Sequence, residues 1–165
     1  MLSRLRIKRI GTSGFTLIEV IVVAVIIAVL SAVAIPLYNG YIRDSRRNTA
    51  ENVAGSAASF VGTYFSMNGN LDGITVSGST TGSLTDNLGD WIYSVDGTKS
   101  EFVSSTSTDE NRFVIPTDIQ IRVTSDGTDH VVEGAHVKSV IEHGSPTSAG
   151  GEPATEDITQ PYHFH

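Results

Sequence analysis

The 165-residue chain is 39% hydrophobic and only 7% aromatic, which suits one modest core plus one special segment rather than two independent cores. It has no cysteine, which excludes a disulfide framework, a thiolate metal site and a thiol nucleophile. The formal charge of -7 hides an asymmetry: Arg4, Arg6, Lys8 and Arg9 stand in a start that carries no acid. Beyond that start, seven basic side chains (11 less these four) face 18 acidic ones, a surface that repels phosphates and argues against general nucleic-acid binding.

From Phe15 to Ile35 the chain reads FTLIEVIVVAVIIAVLSAVAI, with Glu19 as its single charge. At ~1.5 Å per residue this run spans about 30 Å, the hydrocarbon thickness of a bilayer. Its Val and Ile weaken an isolated helix in water, but lipid leaves the backbone no partner except itself. The basic residues before the run predict a cytoplasmic leader and an outward-facing remainder. An ordinary secretory signal is the competing reading; the length of the apolar run, its glutamate and the lack of a small-x-small site before a polar start weigh against it.

Past Pro36, Val53, Ala57, Phe60, Val61, Tyr64 and Phe65 recur at helical spacing and predict an amphipathic helix to about Met67. Pro36 removes an amide donor and crowds the preceding turn, so a kink or local unwinding is expected there. Asn52, Ser56, Ser59, Thr63 and Ser66, with Gly55 and Gly62 nearby, make a small polar face that reads equally as solvent surface or as a stripe for neighbouring helices.

After Asn68 the texture turns to Gly, Ser, Thr and Asp with short β-prone runs at 74–76, 91–95, 101–104, 112–115, 118–124, 130–133 and 136–141. The alternation at 118–124 puts Ile119, Ile121 and Val123 on one face, and Ser125-Asp126-Gly127-Thr128 predicts a hairpin turn into His130–Glu133. Pro146, Pro153 and Pro161 among Gly, Ser and acids predict a loosely ordered tail over 145–165.

Gly14-Phe15-Thr16-Leu17-Ile18-Glu19-Val20, behind a short basic leader and ahead of an apolar helix, resembles the processing site of bacterial type IV prepilins and pseudopilins. The resemblance covers about the first third of the chain. It implies cleavage between Gly14 and Phe15 by a prepilin peptidase, methylation of the new amino terminus at Phe15, and an assembly role for Glu19. Pro36 with Tyr38 and Tyr41 extends it. The implied fold is α+β, a long N-terminal helix, transmembrane in its first half, packed on an antiparallel sheet. The implied organisation is leader 1–14, transmembrane and assembly helix 15–35, head helix 36–67, β-rich head 68–144 and tail 145–165. The head lacks the paired cysteines of many pilins, and Ala28 stands where a helix-loosening Gly is frequent.

The resemblance therefore implies a structural subunit of a type IV pilus. Its partners would be other pilin subunits, the peptidase, inner-membrane assembly machinery and, before assembly, the membrane. The precursor is expected in the inner membrane and the assembled subunit in a cell-surface filament. A pseudopilin of a type II secretion system shares this N-terminal chemistry, and a monomeric membrane-anchored binding protein is a third reading. A charge inside a bilayer costs about 2.5 to 3.5 kcal/mol on insertion scales, so Glu19 needs a partner, and the ammonium of a neighbour's Phe15 supplies one.

His130, His136, His143, His163 and His165 follow no recognised ligand spacing, and Asp126, Gly127 and Asp129 fit a hairpin turn as well as a calcium loop. No metal or cofactor is expected. Nucleophile elbows, zinc-protease motifs and phosphate-binding loops do not occur, and no enzymatic activity is expected.

Overall fold

The computed structural model describes residues 14–94, 99–104, 112–137, 153 and 158–165. Residues 1–13 of the expected leader, 138–141 of the last β-prone run, His143 and most of the 145–165 tail lie outside these residues. The chain divides into two compact units, Met1–Gly40 and Tyr41–His165.

One helix, α1, runs from Leu17 to Asn68 and contains Pro36. In the first unit its large aliphatic side chains, Leu17 to Leu37, are 50–77% exposed, and none of its apolar window is buried within the chain. Each such side chain left in water forgoes about 1.5–3 kcal/mol of burial free energy, so this surface belongs in lipid or against other helices. Helical geometry continues through Pro36, so the local unwinding expected there does not interrupt the element.

In the second unit, α1 buries Ala50, Ala54, Ala57, Val61 and Tyr64, while Val53, Phe60 and Phe65 flank that stripe half-buried. The buried face is thus centred on small residues, to one side of the centre that the large apolar ones suggest. Eight strands follow among the described residues: β1 (Ile74–Ser77), β2 (Gly82–Ser83), β3 (Trp91–Tyr93), β4 (Ser100–Ser104), β5 (Arg112–Ile115), β6 (Ile119–Ser125), β7 (His130–His136) and β8 (Tyr162–Phe164).

The α+β class stands, with the strands divided between two antiparallel sheets, ordered β2-β1-β4-β5 and β3-β6-β7-β8. The helix stripe packs with Ile74, Phe102 and Ile115 of the first sheet and Ile121, Val123 and Val132 of the second in one core. Gly134 makes the approach of β7 possible: a Cβ there would lie 3.0 Å from both the Ala50 carbonyl oxygen and the Ala54 Cβ.

The expected hairpin forms in register, Ile121 opposite Gly134 and Val123 opposite Val132. Ile119, Ile121 and Val123 are fully buried, but so is Gln120 between them. The alternation predicts one covered face for β6; the fold covers both, because Trp91 and Ala135 form a second apolar cluster joined by Ile158. On that face the Arg122 guanidinium donates to Glu133 Oε2 from Nε at 3.1 Å and from Nη2 at 2.8 Å, and lies 4.6 Å from the Trp91 ring centroid.

The end of the chain departs from the expected loose tail. Tyr162–Phe164 form β8 at the edge of the second sheet, paired with His130–Val132 of β7. Alternation along β8 sends Tyr162 and Phe164 to α1, where a Cβ on Gly55 would meet the Tyr162 ring at 3.1 Å and one on Gly62 would meet Phe164 at 3.5 Å. Phe164 also stacks on His130, with ring centroids 5.1 Å apart, and Phe65 completes a triangle of rings, 4.4 Å from His130 and 6.1 Å from Phe164.

Candidate assembly site at the start of α1

Gly14 and Phe15 lie just before α1, outside any regular element. Among the described residues nothing stands within 4 Å of where a Gly14 Cβ would be, and Phe15 is 87% exposed. The peptide bond between them therefore meets no obstruction among the described residues. Open, extended backbone is the form in which a protease receives its substrate, and a glycine there adds freedom to adopt it.

Thr16 is the N-cap of α1, and Glu19 stands three residues on. Glu19 Oε2 accepts hydrogen bonds from the Thr16 amide at 2.8 Å and the Thr16 hydroxyl at 2.7 Å. This is half of a capping box: the acid at the third helical position reaches back to an amide that the helix leaves without a partner. The T-x-x-E spacing, legible in the sequence, gives Glu19 a local partner in Thr16 besides the neighbour's ammonium expected for it. Both bonds end on Oε2, and Glu19 also lines a groove with Phe15, Ile18, Val22 and Val23.

The remaining expected residues do not join this site. Pro36 sits inside α1, and Tyr38 and Tyr41 are 65% and 70% exposed. Ser56, Ser59, Thr63 and Ser66 are exposed and turn their hydroxyls back to the carbonyls of Asn52, Gly55, Ser59 and Gly62, four residues earlier. Gly55 and Gly62 belong to a different face, where they seat the aromatic residues of β8.

Asp126 accepts hydrogen bonds on Oδ1 from the amides of Thr128 and Asp129. The Asp129 and Thr128 amides hold its carboxyl below the usual carboxylate range. The residues of the suspected calcium loop are thereby engaged in closing the hairpin.

Residues 11–35 match the family model described as a prokaryotic N-terminal methylation motif. No curated protein and no solved structure matches the chain. The motif is the signature of prepilin-type cleavage and supports a type IV pilin-like or pseudopilin protein. It implies processing by a prepilin peptidase and, with the apolar helix, anchoring of the precursor in the membrane.

Proposed function

We infer that this chain is a structural subunit of a type IV pilus, cut between Gly14 and Phe15, methylated at Phe15 and polymerised through the first half of α1. The observation that carries the reading is the pairing of the methylation motif with an apolar helix that the chain's own fold leaves unburied from Leu17 to Leu37. Lipid satisfies that surface before assembly, and the same helices of neighbouring subunits satisfy it afterwards. Proposed boundaries follow: leader 1–14, assembly helix 15–35, head helix 36–67, β-rich head 68–144 and a C-terminal segment 145–165.

Glu19 has two jobs in this reading. In the precursor it caps α1 through Thr16. In the filament its carboxylate receives the Phe15 ammonium of a neighbour, which neutralises both charges in a low-dielectric core and sets the axial stagger; breaking such a pair costs about 3–5 kcal/mol. Pro36 is assigned to a bend within α1 that leaves the element continuous.

Capping and docking separate by isosteric substitution. Glu19→Gln keeps an acceptor for Thr16 but removes the charge, whereas Glu19→Leu removes both. Leader removal, membrane-held monomer and sheared surface filaments are measured in the same cells. Docking predicts normal monomer and few filaments for both variants. Wild-type filament yield in Glu19→Gln cells would reduce Glu19 to a cap and favour a monomeric anchor. Abundant wild-type chain in sheared filaments supports the pilus; its absence favours the pseudopilin of a secretion system.

A further inference from the structure

The cationic charge of this acidic chain is concentrated in one place beyond its basic start. Of the seven Lys and Arg that remain there, Arg43, Arg46 and Arg47 fall within five residues of α1, and no other residue of that helix is basic. Arg112 and Arg122, by contrast, pair with Glu101 and Glu133 on the sheets. Positions 43, 46, 47 and 50 follow the spacing of a single helix face. Ala50 begins the stripe that the head buries, and the arginines continue that face toward the start of the helix, Arg43 and Arg47 exposed and Arg46 half-buried. Asp44 is the one acid among them and lies to the side of the face. Arg43 and Arg46 also interact within the chain. A guanidinium has five donors, so such a contact leaves others for a second partner.

Six residues, about 9 Å of helical rise, separate Arg43 from Leu37, the last side chain of the exposed aliphatic run. The polar layer of a bilayer is roughly 5–8 Å deep on each side of the hydrocarbon. Arg43 therefore falls near the level of the lipid phosphates, and arginine stems bend back to place their heads there. Tyr41, 70% exposed, comes between, at the level where amphipathic rings settle in a membrane interface.

We propose that Arg43, Arg46 and Arg47 bind the phosphates of anionic phospholipid headgroups while the chain is held in the membrane, and so seat the base of the head on the lipid surface. Guanidinium forks match phosphate oxygens in pairs. The remainder of the head carries a large excess of acid and is repelled by an anionic surface, so attraction is confined to this window. Lipid is the occupant because the patch directly follows, on the same helix, the apolar run that lipid covers. The proposal rests on membrane anchoring of α1 and is independent of polymerisation.

The test uses the full chain in neutral detergent micelles, with Arg4, Arg6, Lys8 and Arg9 replaced by Gln in every sample so that the start of the chain contributes no charge. Equal amounts of phosphatidylglycerol and phosphatidylcholine are added, and the lipid kept through washing is measured by mass spectrometry. Each arginine near a charged surface contributes roughly 5-fold in affinity, so phosphatidylglycerol should be kept at least ~10-fold over phosphatidylcholine at about 50 mM NaCl, and less so at about 300 mM. Arg43→Gln, Arg46→Gln and Arg47→Gln together should bring the preference to within about 2-fold of unity with circular dichroism unchanged. Lysine at the same three positions should keep most of it, because a point charge still attracts phosphate. Equal retention of the two lipids by the parent chain, loss of the preference in the lysine variant, or displacement of the lipid by inorganic phosphate would each overturn the proposal. A preference unchanged by the three glutamines would do the same, and reduced surface filaments in that variant would then assign the arginines to an acidic face of a neighbouring subunit.

Discussion

Tyr162 ends its side chain over Gly55, with its ring and hydroxyl 3.1 Å from the point a Cβ on that glycine would occupy, and its hydroxyl donates to the Glu51 carbonyl oxygen at 3.3 Å. The glycine in mid-helix costs about 0.5–1 kcal/mol against alanine, and the seat it makes for the last strand offsets that cost. Gly55→Leu should therefore destabilise the head by about 1–3 kcal/mol through overpacking. Combining it with Tyr162→Ala should recover part of the loss, because the larger side chain then fills the space the ring left. Thermal melts of the two single variants and the double variant measure the coupling.

The Arg122 fork on Glu133 lies in a half-buried layer, each side chain 19% exposed, with Trp91 beneath the guanidinium. Arg122→Lys retains the charge but loses the two-donor fork and the planar contact with the indole. A loss of about 1–2 kcal/mol is expected. A changed Trp91 emission should accompany it, and because Trp91 is the chain's single tryptophan the signal is unambiguous.

The hairpin turn should be acid-sensitive. The Asp129 and Thr128 amides hold the Asp126 carboxyl below the ordinary aspartate range in the fold, so its contribution is complete above that range and is lost as pH falls through the lower, folded-state pKa. Amide chemical shifts of Thr128 and Asp129, followed between about pH 6 and pH 2, should titrate together below the unperturbed aspartate range. Asp126→Asn keeps an acceptor for both amides and should abolish that titration while preserving the turn.

At the processing site, Gly14→Val puts a branched side chain beside the bond to be cut. Uncut precursor should accumulate in the membrane with an unchanged head, read by mass spectrometry of the amino terminus and by melting. A mature terminus beginning after Ala34 in the wild type would establish an ordinary signal sequence in place of a pilin leader.

The N-terminal chemistry was legible because every signal in it is local. A run of apolar residues has one length, Glu19 is its single charge, and the basic start lies beside it; no distant contact is needed to read them. The β6–β7 hairpin was legible for the same reason, since its turn residues and the alternation of Ile119, Ile121 and Val123 lie within a few positions of one another. Distant pairing was not. The three-residue β8 follows a Pro- and Gly-containing stretch, and its own sequence is too short to carry a period; edge hydrogen bonds to His130–Val132 and the seats at Gly55 and Gly62 make it a strand. The same register gathers His163 and His165 on Asp129, which no spacing along the chain foretold. Gln120 reads as a solvent-facing residue from its alternation, and tertiary packing buried it, because a strand is open on one face until the fold supplies a second layer. Local periodicity and charge thus determined the membrane helix, its processing motif and one hairpin, while the division into two sheets, the closing strand and the cluster at its edge depended on which distant segments meet.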